Sequence, residues 1–299
     1  MRALAGQRTL DVWYARIDER ELARQVRALS DKEALARFER GTAKARSKDS
    51  TRAFAKLAQR TNGRPRIAAD PPLIVPLRDM LSPEQAGEWR ERMRELIAAY
   101  RGTLPADRRV LLDRFRFADM AHKVVGVGSV GTRAWILLML GRDDEDPLFL
   151  QCKEAQSSVL APYLGASRFS NQGRRVVEGQ RLMQAASDIF LGWIRTTGLD
   201  GRERDFYVRQ LWDWKVSADV EAMDPETLAA YGRLCGATLA RAHARCGDAV
   251  AIGAYLGSGE ACDRALADFA EAYADQNARD HDALLAAVDA GRVEAQTGV

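Results

Sequence analysis

Three glycines, a lysine and a glutamate carry the chemistry most readily read from this chain. Gly126, Gly128 and Gly131, in the run Lys123-Val-Val-Gly-Val-Gly-Ser-Val-Gly131, have the G-x-G-x-x-G spacing; Lys153 closes the apolar run Leu148-Phe-Leu-Gln-Cys-Lys153; and Glu178 comes 25 residues later. Glycine amides approach phosphate oxygens without side-chain obstruction, an ammonium pairs with those oxygens, and a helix carboxylate can hold the lysine in place. The nucleotide-binding candidates are therefore Gly126, Gly128, Ser129, Gly131, Lys153 and Glu178. Gln210, Leu211 and Trp212 lie in the apolar connector that would line a base pocket. Each part has a plainer reading: a tight turn, a solvated strand end, an exposed helix glutamate, a core tryptophan. Their order singles them out. Gln180, Gln184 and Glu154 are alternatives to Glu178 as the partner of Lys153.

Two nucleotide-handling folds use this glycine pattern, and they differ in the element that comes after the loop. A Rossmann unit needs a helix there, its N-terminus facing the pyrophosphate. Only Thr132 to Leu140 is available before Gly141, about two turns against the three or more usual for such a helix. Glu154, 26 residues after Gly128, favours the Rossmann reading as a ribose-binding acid. Against it, Arg142-Asp-Asp-Glu-Asp-Pro147 reads as a polar hairpin loop between strands. Residues 172–187 have a helical pattern anchored by Val176, Leu182 and Met183. The strand-like runs 187–193 and 206–211 flank the turn-rich Arg195-Thr-Thr-Gly-Leu-Asp-Gly201. Glycine loop, strand, strand with lysine, helix with glutamate, hairpin and connector is the order of a kinase small lobe.

The rest of the chain must position this lobe. The spacing of Leu22, Val26 and Leu29, and the Ser30/Glu33 capping box leading to Phe38, predict helices before residue 60. Pro65, Pro71, Pro72 and Pro76 predict a linker near 61–82. Ser82-Pro-Glu-Gln85 starts a helix with Trp89, Met93, Leu96 and Ile97 on one face, ended near Gly102. Asp224-Pro225 starts another, with Leu228, Tyr231, Leu234, Cys235, Leu239 and His243 on an apolar face. The fold class expected is α+β: a mainly helical region 1–109, a glycine-loop lobe 110–216 built on an antiparallel sheet and one helix, and a helical region 217–299. His243 and Asp248, five residues apart, are the weak candidates for catalytic groups, with a core histidine as the commoner outcome.

Composition limits the function classes. At 299 residues, 46% hydrophobic and 29% charged, the chain has ample core for a globular protein. No apolar run approaches the roughly 20 residues a membrane helix needs, so a cytoplasmic protein without membrane contact is expected. Cys152, Cys235, Cys246 and Cys262 have no C-x-x-C or histidine spacing and predict buried thiols with no metal site. Residues 1–70 carry 17 Lys/Arg against 9 Asp/Glu, residues 248–299 only 3 against 10. The acids interspersed at Asp18, Glu19, Glu21, Glu33 and Glu39 argue for a solvated helix face over a nucleic-acid surface.

Longer runs carry a family resemblance. Lys123–Thr132, Phe149–Ala155, Gly179–Gly192, Asp205–Leu211, Leu239–Arg245 and Tyr273–Gln276 together resemble the bacterial family called domain of unknown function 2252, which has no assigned reaction. The resemblance implies a circularly permuted relative of aminoglycoside phosphotransferase-like kinases. Members usually begin with a segment holding G-D-x-H-x-x-N-F-G and D-F-D-E motifs, and neither motif is in this sequence. Asp11-Val-Trp-Tyr14 is similar to the family sequence that normally comes after those motifs, so the chain resembles the C-terminal two-thirds of a member.

Phosphoryl transfer needs a base to orient the acceptor and carboxylates to hold magnesium. The expectation is thus a module that binds nucleotide, ATP with Mg, for an unknown acceptor, and is incomplete for transfer by itself. A separate N-terminal fragment is the partner this implies. Alternatives are a non-catalytic interaction or regulatory protein that keeps the fold, and an NAD-linked oxidoreductase.

Overall fold

The computed structural model describes residues 1–16, 40, 50–124, 126, 131–211 and 218–295. The predicted helices between Leu22 and Phe38, with the Ser30/Glu33 box, lie outside these. In chain order the elements are α1 (Arg2–Ala5), α2 (Thr9–Tyr14), α3 (Ser50–Leu57), β1 (Ala58–Thr61), β2 (Arg64–Ile67), β3 (Ile74–Pro76), α4 (Leu77–Met80), α5 (Pro83–Gly102) and α6 (Ala106–Leu112). They continue with β4 (Arg116–Lys123), β5 (Ala134–Leu140), β6 (Pro147–Ala155), α7 (Ala161–Leu164), α8 (Gln172–Met183), β7 (Gly192–Thr197), β8 (Glu203–Gln210), α9 (Pro225–Cys246), α10 (Ala249–Leu256) and α11 (Ala261–Asp289). The contacts divide the chain into two units, residues 14–236 and residues 1–13 with 237–299.

The first unit is built on a six-stranded antiparallel sheet in the order β3-β4-β5-β6-β8-β7. The apolar runs of β5 and β6 occupy its centre, which is why they read as nearly continuous hydrophobics: side chains on both faces are covered. On one face Met120, Leu137, Met139, Leu150, Cys152, Phe206 and Val208 pack with Met93, Tyr100 and Leu104 of α5 and the turn after it. On the other, Ala121, Ile136, Leu138, Leu140 and Phe149 pack with Ala53 and Leu57 of α3, Ile67 of β2 and Leu211.

Local chemistry fixes the borders. At the start of α5 the Gln85 amide donates to the Ser82 hydroxyl and the Ser82 amide to the Gln85 side chain, the reciprocal box expected from the sequence. The 142–146 loop joins β5 to β6 as expected, with the Gly141 amide donating to the Asp146 carbonyl at 2.8 Å.

The stretch expected as a linker is instead structured. Asn62 and Gly63 have φ of 51° and 73° and connect β1 to β2 as a two-residue hairpin, the left-handed pair that such turns require. After it β3 joins the main sheet, its one proline harmless because Pro76 ends an edge strand. The boundaries of the last hairpin also move: 187–191 is not strand, and β7 starts at Gly192.

Two buried carboxylates tie the periphery to the sheet. Asp119 of β4 accepts the Ile67 amide at 2.9 Å and a guanidinium hydrogen bond from Arg78, with Arg66 at 3.6 Å. Asp205 of β8 accepts from the Gln172 amide at 2.7 Å, from Asn171 at 2.9 Å and from Arg195 at 2.6 Å, seating the N-terminus of α8.

The close approach of α8 depends on Gly173, where a Cβ would lie 2.1 Å from the Phe206 carbonyl oxygen. Gly173→Ala must push helix from sheet, so it should lower stability by about 1–3 kcal/mol, the usual range for overpacking. An unchanged urea midpoint would sink this account.

In the second unit α1 packs with α10, and Arg245 lies 4.2 Å over the Trp13 ring while donating to the Trp13 carbonyl. The apolar-face reading of α9 is not what the structure has: among its described residues none is buried, and His243 is exposed. Of the four thiols expected to be buried only Cys152 is; Cys235 and Cys246 are exposed and Cys262 is intermediate.

Candidate functional site

The base of the glycine loop is set by the sheet register. β4 ends at Lys123 and β5 begins at Ala134, with the three glycines in the sequence between them. Gly131 has φ of +78°, a conformation that favours glycine. Gly126 is exposed, while Gly128 and Ser129 lie outside the described residues. Ala134 pairs with Lys153 across β5 and β6, and His122 pairs with Trp135, so Lys123 stands level with Ala134 on its other side. Side chains alternate along strands, and Lys123, Ala134 and Lys153 share the face of Ala121, Ile136 and Phe149. Strands lie about 4.8 Å apart, so two lysines flank a small alanine with their Cα atoms about 10 Å from each other.

Both lysines are half-buried, and neither has a hydrogen-bond or ion-pair partner among the described residues. Burial lowers the Lys153 pKa, and the Arg209 charge lowers it further. Lys123 is lowered by burial and by Lys56, with Asp70 opposing. Arg209 stands on the same face, its guanidinium 3.3–3.4 Å from the buried Gln151 side-chain oxygen. Half-buried ammonium groups beside other cations are unfavourable until an anion joins them. Lys123 and Arg209 were not among the residues singled out from sequence. The available signal was alternation: Lys123 is two residues from Ala121, and Arg209 stands opposite Gln151, two before Lys153.

Helix α8 covers the β7–β8 side of the same face. Lys153 pairs with Tyr207 and Tyr207 with Trp193, and the guanidinium groups of Arg174 and Arg181 lie 5.5 and 6.0 Å from the Trp193 ring. Glu178 is thus on the helix expected to face Lys153, but it sits 3.9 Å from each of Arg174 and Arg181 and forms no ion pair with Lys153. Gln180 is half-buried on the same helix; Gln184 caps its exposed C-terminus. Glu154 points to the opposite face. There it accepts the Arg133 amide at 3.1 Å, with the Arg133 and Arg204 guanidinium groups at 3.4 and 3.6 Å, and Arg133 and Arg204 also bind Asp200. So held, Glu154 is withdrawn from both roles considered for it, partner of Lys153 and ribose ligand.

The connector residues are committed differently. The Gln210 amide donates to Asp188 at 2.7 Å and the Leu211 amide to the Phe149 carbonyl at 2.9 Å, while the Leu211 side chain is buried in the core. Neither amide is free to read a base, and Trp212 lies outside the described residues. In the other unit Asp248 caps α10, accepting the Val250 and Ala251 amides at 2.8 and 3.0 Å. Its role there is that of a cap.

Among the described residues no group of three His, Cys, Asp or Glu is placed to hold a metal ion. The residue after the loop enters an antiparallel strand, where a dinucleotide-binding unit would start a helix.

Fold and site together define a mixed α/β protein whose antiparallel sheet carries two half-buried lysines on one face. The chain belongs to the bacterial family called domain of unknown function 2252, described as an uncharacterized protein conserved in bacteria, whose model matches residues 1–287. Neither the curated proteins nor the solved structures yield a match. Among the described residues no helix is long and apolar enough to cross a membrane.

Proposed function

We propose that this protein binds the phosphates of a nucleotide, ATP in the first instance, against Lys123 and Lys153 at the base of the glycine loop. The observation that carries this is the pair of half-buried ammonium groups on either side of Ala134, neither with a hydrogen-bond or ion-pair partner among the described residues. The element order supports a kinase-like lobe within 110–216: strand, glycine loop, strand, strand with Lys153, helix with Glu178, hairpin. In this reading Gly126 and Gly131 let the backbone close on the phosphates, and the lysines neutralise them. Glu178 exchanges its arginine neighbours for Lys153 when the site fills. The proposal is for binding and not transfer, because among the described residues the site's two carboxylates, Asp70 and Glu178, belong to no group of three that could hold a metal ion. A catalytic base and magnesium ligands would come from another polypeptide, and the cytoplasm is where ATP is met.

Calorimetry with Mg-ATP and with NAD on the full chain tests this. ATP should bind and NAD should not; equal affinity for both overturns the reading. The pH dependence has a definite sign. Phosphate binding needs protonated lysines, and burial has moved both below the ordinary 10.5. Affinity should therefore be greatest at neutral pH and fall as pH rises through the lowered pKa values, before an exposed lysine would titrate. An ATP affinity constant up to pH 10.5 would exclude these lysines as the phosphate ligands.

A further inference from the structure

The opposite face of the sheet holds a cavity of about 70 Å³ between α5 and the central strands. Its wall is apolar, with Trp89, Met93 and Leu96 on the helix side and Leu137, Met139 and Leu150 on the sheet side. Protein interiors leave few voids larger than a water molecule, and an apolar one of this kind stays dry and takes apolar guests. Cys152 also lines it, and burial pushes its thiol up to about 12, so the floor carries no charge at physiological pH.

Along the β7–β8 hairpin the lining is more polar. Thr196, Thr197 and Gly198 of the β7–β8 hairpin border the cavity, and the Arg92 guanidinium, half-exposed on α5, donates to the Thr196 hydroxyl at 3.4 Å. Its other contact is with the exposed Glu95 at 3.3 Å, a pair weak enough to be exchanged. An apolar interior with a guanidinium hydrogen-bonded to one of its lining residues, Thr196, matches an amphipathic anion. The volume is about half that of an engineered cavity of about 150 Å³ that admits benzene, so it suits the end of an alkyl chain better than a substituted ring.

We infer that this cavity is a second ligand site, for a short- to medium-chain carboxylic acid with its alkyl end among Met93, Leu137 and Met139 and its carboxylate on Arg92. The site is separate from the lysine face and does not depend on the nucleotide reading.

The full chain should be titrated with octanoate, butanoate and 1-octanol below their aggregation concentrations, reading heat and the fluorescence of Trp89 and Trp135. Octanoate should saturate and butanoate bind at least tenfold more weakly. Arg92→Gln, a surface change, should weaken octanoate at least tenfold and leave 1-octanol unaltered. Met139→Phe, which places a ring in the void, should exclude both; should that variant not fold, the chain-length series and Arg92→Gln decide. Lys153→Ala should change none of these values. No saturable binding to the folded wild type means a packing void only and overturns the proposal. Octanoate affinity indifferent to Arg92→Gln overturns the carboxylate assignment, and binding that survives Met139→Phe in a folded protein overturns the location.

Discussion

Replacing Asp119 by alanine is expected to remove about 3–5 kcal/mol of stability, the range for breaking a buried ion pair from one side. The carboxylate is 5% exposed and satisfies three groups at once: the Ile67 amide, the Arg78 guanidinium and, at 3.6 Å, Arg66. Alanine leaves two cations and a backbone N–H facing an empty site, and the hairpin β1–β2 keeps to β4 only the Arg66 hydrogen bond to the Ala118 carbonyl at 2.7 Å among its described side-chain bonds. Whole domains are stable by only about 5–15 kcal/mol, so the loss is a large share of the total. Asn at the same position keeps an acceptor for the Ile67 amide and should cost less than alanine. Urea denaturation of both variants is the measurement; a shift below about 1 kcal/mol for alanine would show that Arg66 and Arg78 turn to water without penalty.

Lys153→Ala should weaken Mg-ATP binding about tenfold to a hundredfold, corresponding to the roughly 1.5–3 kcal/mol of one charge-assisted hydrogen bond. Its effect on folding should have the opposite character. The ammonium is half-buried, lies near Arg209 and has no partner among the described residues, so its removal should leave the urea midpoint where it was or raise it slightly. A residue whose loss harms binding but not stability is one kept for a ligand. Lys123→Ala should behave in the same sense. If both variants bind ATP as the wild type does, the paired-lysine face is not the phosphate site. If instead they unfold, the two ammonium groups have structural partners that the geometry does not account for.

Much of the lobe was legible because its central strands are buried on both faces. Ala134–Leu140 and Leu148–Cys152 are apolar without alternation, and the acidic 142–146 segment between them leaves only a loop. The helix from Pro83 was legible for a different reason: Ser82 and Gln85 make a reciprocal cap that works locally, whatever the tertiary contacts. The β1–β2 hairpin was missed because only Pro65 and Ile67 of β2 are buried, so Arg64-Pro-Arg-Ile67 shows its charge before its alternation. Asn62-Gly63 was the signal that could have found it. The face of α9 failed because periodic leucines state which residues share a side, not that anything covers that side. At the site, the order of Lys153 and Glu178 was readable, but their pairing depends on helix phase and on rival arginines one turn away. Lys123 and Arg209 became visible only once the register put them beside Ala134 and Gln151.

Cys152 sits one residue before Lys153, buried on the face covered by α5, where burial pushes its thiol up to about 12. Thiolates, not thiols, attack alkylating reagents, so this sulfur should react slowly, and chiefly when β6 separates from α5. Cys235 and Cys246, exposed from the outset, should be modified in the native protein. The delay between the fast class and the slow one therefore measures how often the centre of the sheet opens, without any introduced label. Ligands on the two faces become distinguishable by the same clock: one that grips β6 lengthens the delay, and one that does not leaves it alone.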